Sequence, residues 1–148
     1  MNEKLEYAIH VLEREQVSCV IYDGVHVPEV SREMGIKPLM SKLRQNKQAF
    51  CNCVIADKVI GKAAAFMAIL GGVEAVYGDV MSEDAIHVLE LYQIPYQYHT
   101  LVPYIENRTK TGRCPLEQSV LTVIKPEEAY EKLEVTIQML MGQKARES

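Results

Sequence analysis

Within the run Asn107-Arg108-Thr109-Lys110-Thr111-Gly112-Arg113-Cys114-Pro115-Leu116-Glu117, a thiol, three cations and a carboxylate crowd together. The apolar segment Val120-Leu121-Thr122-Val123-Ile124 follows, so the run reads as a basic loop that ends at the start of a helix. Proline is tolerated at a first helical position because its missing N–H would have no intrahelical partner there. Glu117, three residues after Cys114, stands where a carboxylate reaches back to cap its own helix. Cys114 would then sit at a helix N-terminus, where the dipole, Arg113 and Lys110 all attract negative charge. That is the setting of a reactive cysteine or of an anion pocket. The plain alternative is a thiol that only caps, a task for which sulfur is a poor acceptor. Capping is the favoured role of Glu117, with ligand binding as the alternative. Arg108 and Arg113 are placed either to clamp an anion bidentately or to be solvated loop cations.

A second candidate is Gly61-Lys62-Ala63, at the entrance to the apolar run Ala63–Leu70. Free backbone N–H groups and a fixed cation at a helix start can receive a phosphate or carboxylate. The P-loop pattern is missing, and the bland reading is a turn with Lys62 in solvent. Asp79, after Tyr77-Gly78, falls at the end of a strand where open α/β sheets commonly bind ligands, or else serves a turn. Cys51 and Cys53, two apart in an apolar run, are expected on one face of a strand. Burial as small hydrophobes is favoured there over a redox or metal pair.

Elements must hold these groups in place. Leu5, Ala8, Ile9 and Leu12 predict an amphipathic helix over 3–15. Val17–Tyr22, Asp23-Gly24 and Val25-His26-Val27 predict a hairpin with a two-residue turn, ended by Pro28. Further helices are expected from Pro38 to Asn46, Gly61 to Leu70, Ser82 to Pro95, Pro115 to about Ile124, and from Pro126 with Leu133, Ile137 and Leu140 inward. Strands are expected at Phe50–Ile55, Val73–Val80 and Tyr96–His99. Strands alternating with helices after residue 49 imply parallel connections, so the fold class is α/β with a mixed sheet covered on both faces. The hexapeptide Ala8–Glu13 recurs as Ala85–Glu90, but the likeness fades on either side and marks two similar helices, not a repeat.

Composition bounds the rest. At 148 residues with 48% apolar content the chain is sized for one domain, expected over 1–142, with a polar tail at 143–148 that frays. A net charge of −4 carries no broad basic footprint, which argues against a nucleic-acid duplex as partner. No segment is long enough to span a bilayer and the N-terminus is not signal-like, so no membrane is implied and a soluble cytoplasmic protein is expected. The four cysteines show no C-x-x-C spacing, and His10, His26, His87 and His99 lack mutual metal-ligand spacing. No metal or other cofactor is implied. A homo-oligomer stays open.

The segments Ala56-Asp57-Lys58-Val59-Ile60-Gly61-Lys62-Ala63-Ala64-Ala65 and Gly112-Arg113-Cys114-Pro115-Leu116-Glu117, with the order of elements, resemble an uncharacterised prokaryotic family, domain of unknown function 1893. That family is grouped with the cytidine-deaminase-like superfamily. The likeness covers residues 3–140 and implies a three-layer α/β/α sandwich with its site near those segments. Deaminases of that superfamily need a zinc-activated water, held by ligands at two helix starts. Here those starts read Gly61-Lys62-Ala63-Ala64 and Met81-Ser82-Glu83-Asp84-Ala85, and no H-x-E occurs. The resemblance therefore implies a zinc-less deaminase-like protein. Its expected partner is a small anionic ligand, such as a nucleotide or related metabolite, held by Gly61, Lys62, Ala63, Asp79, Arg108, Arg113 and Glu117. If there is chemistry, Cys114 is the nucleophile or redox thiol, with Lys62 and Arg113 stabilising negative charge. The alternative is a non-catalytic regulatory or interaction module that uses the same loop.

Overall fold

The computed structural model describes residues 2–107 and 109–147. Five strands form one sheet in the order β2-β1-β3-β4-β5: β1 Cys19–Tyr22, β2 Glu29–Ser31, β3 Val54–Ile60, β4 Ala75–Ser82 and β5 Tyr96–Val102. β1 runs antiparallel to both β2 and β3, while β3, β4 and β5 are parallel. The sheet is mixed, as the alternation of elements requires.

Helix α1, Glu3–Glu15, covers one face alone, burying Leu5, Ala8, Val11 and Leu12 against Val20, Val54, Ala56, Ala75 and Tyr77. Asn2 starts it by accepting the Leu5 N–H through its side chain, 3.0 Å away. The other face carries α2 Lys37–Gln45, α3 Lys62–Leu70 and α4 Glu83–Leu91, with α5 Pro115–Ser119 and α6 Pro126–Glu147 packed on α3. α3 is the hub of this layer. Its residues Ala63 to Met67 are all buried, which is why its sequence has no polar stripe. The result is a three-layer α/β/α sandwich.

Several local expectations need correction. The hairpin turn is wider than two residues: the Asp23 carboxylate accepts the N–H groups of Val25 and His26, both at 2.8 Å, and closes its own loop. Val25 and Val27 consequently stand in solvent, and Pro28 opens the second strand instead of ending it. The strand expected at 50–55 begins only at Val54 and runs to Ile60. Phe50 is drawn out of it, because its ring packs against Gly71, where an added Cβ would lie 2.2 Å from the ring. Its N–H donates to the Gly71 carbonyl and Asn52 turns the chain at φ 63°. Cys51 is exposed and Cys53 half-buried in that turn, so they share no strand face.

α5 stops at Ser119, short of Ile124, because the N–H groups of Val120 and Leu121 bond three residues back, tightening the turn. α6, in contrast, runs through Glu147, across the polar segment read as a tail.

Leu133 anchors α6 in the core with no exposed surface, whereas Val135 two residues on is 58% exposed. Leu133→Ala is expected to lower stability by about 2–5 kcal/mol through lost burial and the cavity left behind. Val135→Ala should stay within about 0.5 kcal/mol, with urea denaturation checking both.

Candidate functional site

Gly61 is the N-cap of α3 and has no side chain to satisfy the first amides of the helix. The chain supplies one from α5. The Glu117 carboxylate accepts the N–H of Lys62 at 2.7 Å and of Ala63 at 2.9 Å, one oxygen to each. Gly61 is required for this approach: a Cβ there would fall 2.3 Å from Glu117 Oε1 and 2.8 Å from Ile105. Glu117 thus caps α3 across the tertiary structure, not its own five-residue helix. Burial pushes its carboxyl above the usual range, and the two amide hydrogen bonds oppose that rise.

Lys62 folds back over the same junction. Its ammonium donates to the Leu121 carbonyl at 2.7 Å and lies 5.7 Å from the Phe66 ring centre. Burial lowers its pKa, and the charges of Asp84 and Glu117 work against that. The helix mouth read as a receptor for an external anion is therefore filled by the chain's own carboxylate, with the cation committed to a carbonyl.

Cys114 is half-buried at the N-cap of α5, with no hydrogen bond from its side chain to the helix. Its own N–H donates to the Ile105 carbonyl at 2.9 Å. The dipole argument weakens here, since five residues align few peptide units. Arg113 is also engaged: it donates to Asp84 at 3.4 Å and lies 4.9 Å over the Tyr104 ring. Lys110 sits at φ 57° in a turn held by the Asn107 side chain, which accepts the Thr111 N–H at 3.0 Å. Arg108 lies outside the described residues.

Asp79 is placed elsewhere. It accepts the Tyr77 hydroxyl at 3.2 Å, and Tyr77 belongs to the cluster under α1, on the opposite face of the sheet from α3 and α5. Burial first, then Asp79, push the Tyr77 hydroxyl up to about 12. Gly61, Lys62, Ala63, Glu117 and the Cys114 loop are brought together, but Asp79 does not join them. None of these residues lines a cleft of about 750 Å³ between α5 and α6, whose walls include Pro115, Gln118, Ser119, Val135, Met139 and Leu140.

Sequence reasoning passed over Asp57, an ionisable group buried in β3 beside the Cys19 thiol. It accepts the Val59 N–H at 3.1 Å, and burial pushes its carboxyl up to about 7. The signal was present, an acid inside Val54–Ile60, but the strand was expected to end before it. Among the described residues no group of three or more His, Cys, Asp or Glu is placed to hold a metal ion.

The profile of the family described as TM1506, domain of unknown function (DUF1893), matches residues 7–137. The chain belongs to this family. It is similar to the crystal structure of a DUF1893 family protein (TM1506) from Thermotoga maritima, at 23% identity over 88% of each chain, with a TM-score of 0.79. That likeness carries the fold. No curated protein matches the chain. Among the described residues no helix is long and apolar enough to cross a membrane.

Two outcomes test the junction. Glu117→Gln, which sets an amide N–H against the Ala63 N–H, is expected to cost about 1–3 kcal/mol in urea denaturation. Gly61→Ala should cost at least as much, and the double variant less than the sum, because both act on one contact. For Asp57 the folded state keeps its proton up to about pH 7 while the unfolded chain loses it near pH 4. Its contribution to stability is therefore full below that window and falls as pH rises through it. Asp57→Asn should flatten the stability profile between pH 4.5 and 8.

Proposed function

We propose that this DUF1893 protein is a zinc-less deaminase-like module that works by docking a partner, not by catalysis. What supports this reading is the commitment of the anion-binding groups described at the α3–α5 junction to the chain itself: two amides to Glu117, Lys62 to Leu121, Arg113 to Asp84. A small anion would have to displace a buried carboxylate with two hydrogen bonds, at a cost of several kcal/mol before it gained anything. Glu117 instead latches α5 in place, and α5 forms one wall of the α5–α6 cleft.

That cleft is suited to an apolar helix. Among the described residues, those that line it carry no charged side chain. Val135 and Met139, four apart on α6, expose 58% and 67% of their surface along one side. Methionine adapts its shape to a partner, and an exposed apolar row on α6 offers the face of another helix a surface to pack on. The partner is accordingly an amphipathic helix of another protein.

A photo-reactive residue at Met139 in the full chain, expressed in cells, is expected to yield one discrete adduct that Val135→Glu abolishes and Cys114→Ser leaves intact. The adduct of a foreign protein supports the reading. A smear, or an adduct of twice the chain mass, overturns it. Inorganic phosphate and nucleoside monophosphates should leave the melting temperature unchanged; a rise that Lys62→Ala removes would restore the small-anion reading in its place.

A further inference from the structure

The two edges of the sheet are built differently. β2 is three residues long, follows Pro28, and carries Glu29 in an ion pair with Lys42, all devices that blunt an edge. β5 also follows a proline, Pro95, but it is neither short nor protected by a charged side chain. It is seven residues long, Tyr96-Gln97-Tyr98-His99-Thr100-Leu101-Val102, with no Asp, Glu, Lys, Arg, Gly or Pro inside it. Its partner in the sheet is β4, and among the described residues no strand lies beyond it. Gln97 to Leu101 are exposed, including Tyr98 and Leu101 at 42% each. A long edge with no carboxylate, lysine or arginine exposes a row of N–H and C=O groups ready for another strand.

We propose that two copies of this chain pair through their β5 strands, antiparallel about a two-fold axis at His99, joining two five-stranded sheets into one. The sequence around the strand selects both the occupant and the register. Pro95 and Pro103 each stand four positions from His99, one before the strand and one after it. The Pro95 carbonyl accepts the Val76 N–H of β4, so its polar side faces inward, and the two prolines mark only the ends of the seven residues available for pairing. The antiparallel register that uses the whole strand puts His99 opposite itself, Tyr98 opposite Thr100, Gln97 opposite Leu101 and Tyr96 opposite Val102. Pro95 then meets Pro103 outside the ladder. Any other antiparallel register pairs fewer of the seven residues.

A two-fold pairing also brings each side chain of the strand close to one from its twin. Charges there would repel, and β5 has no carboxylate, lysine or arginine. A foreign strand would need none of this symmetry. A single strand pair buries little surface, so the dimer is weak, with a dissociation constant on the order of 1–100 μM.

The inference is independent of the α5–α6 cleft, which lies on the helical layer away from this edge. Sedimentation of the wild-type chain at about 2 and about 200 μM should show the 16.8 kDa monomer giving way to twice that mass. Hydrogen exchange on the same samples should slow at β5 amides with concentration. Gln97→Lys/Leu101→Lys, which sets like charges across the proposed contact, should weaken the dimer at least about tenfold. Gln97→Glu/Leu101→Lys, which sets opposite charges there, should return it to within about threefold of wild type. Both pairs of positions are exposed, and circular dichroism checks that the variants fold. A monomer at the higher concentration overturns the proposal, as does a dimer whose β5 amides exchange equally fast at both. Equal weakening by the two double variants overturns the His99-centred register.

Discussion

One carboxylate holds the helical layer together. Glu117 reaches from a five-residue helix into the mouth of α3 and accepts two of the amides that a helix start leaves without partners. α3 is buried along most of its length and has no polar side chain at its N-cap, so this contact replaces the cap its sequence lacks. The same contact fixes α5 and draws the loop before it against the molecule through the Cys114 N–H and the Ile105 carbonyl. Gly61 is the condition for all of it, since a side chain there would stand where the carboxylate lies.

A helix mouth that can bind an anion need not be waiting for one. The groups that would recognise a phosphate, two amides and a nearby ammonium, are present in this fold. Each is already matched by a neighbour of the same chain, and unmatched polar groups of this kind would cost free energy if buried. These hydrogen bonds serve the architecture of the junction. The cleft between α5 and α6 and the outer edge of the sheet lie open apart from this junction.

The two sheet edges show that this openness is selective. Antiparallel β2 is short and bears a paired charge, while parallel β5 is long and bears none. Both edges face the same hazard of unpaired main-chain groups, so a difference in their protection distinguishes an edge kept from partners from one left able to take them.

The sequence by itself determined the kind of fold. Helical spacing of Leu5, Ala8 and Leu12 identified α1 to the residue, and the alternation of strands and helices after residue 49 implied the parallel part of the mixed sheet. These are local or periodic signals, legible because burial on one face repeats along the chain. Local signals also misled where a distant partner won. Phe50 looked like strand and was taken by Gly71, and the Asp23 carboxylate enlarged a turn that Asp-Gly alone would have kept tight. Gly61, Lys62 and Glu117, singled out one by one in the sequence, meet at one helix mouth. Only the tertiary structure decided that Glu117 caps a helix that begins 55 positions before it, that Lys62 serves a carbonyl, and that Asp79 faces the other side of the sheet. The reason is physical: a helix start leaves its amides free in any sequence, and which acceptor fills them depends on what packing brings within hydrogen-bond reach.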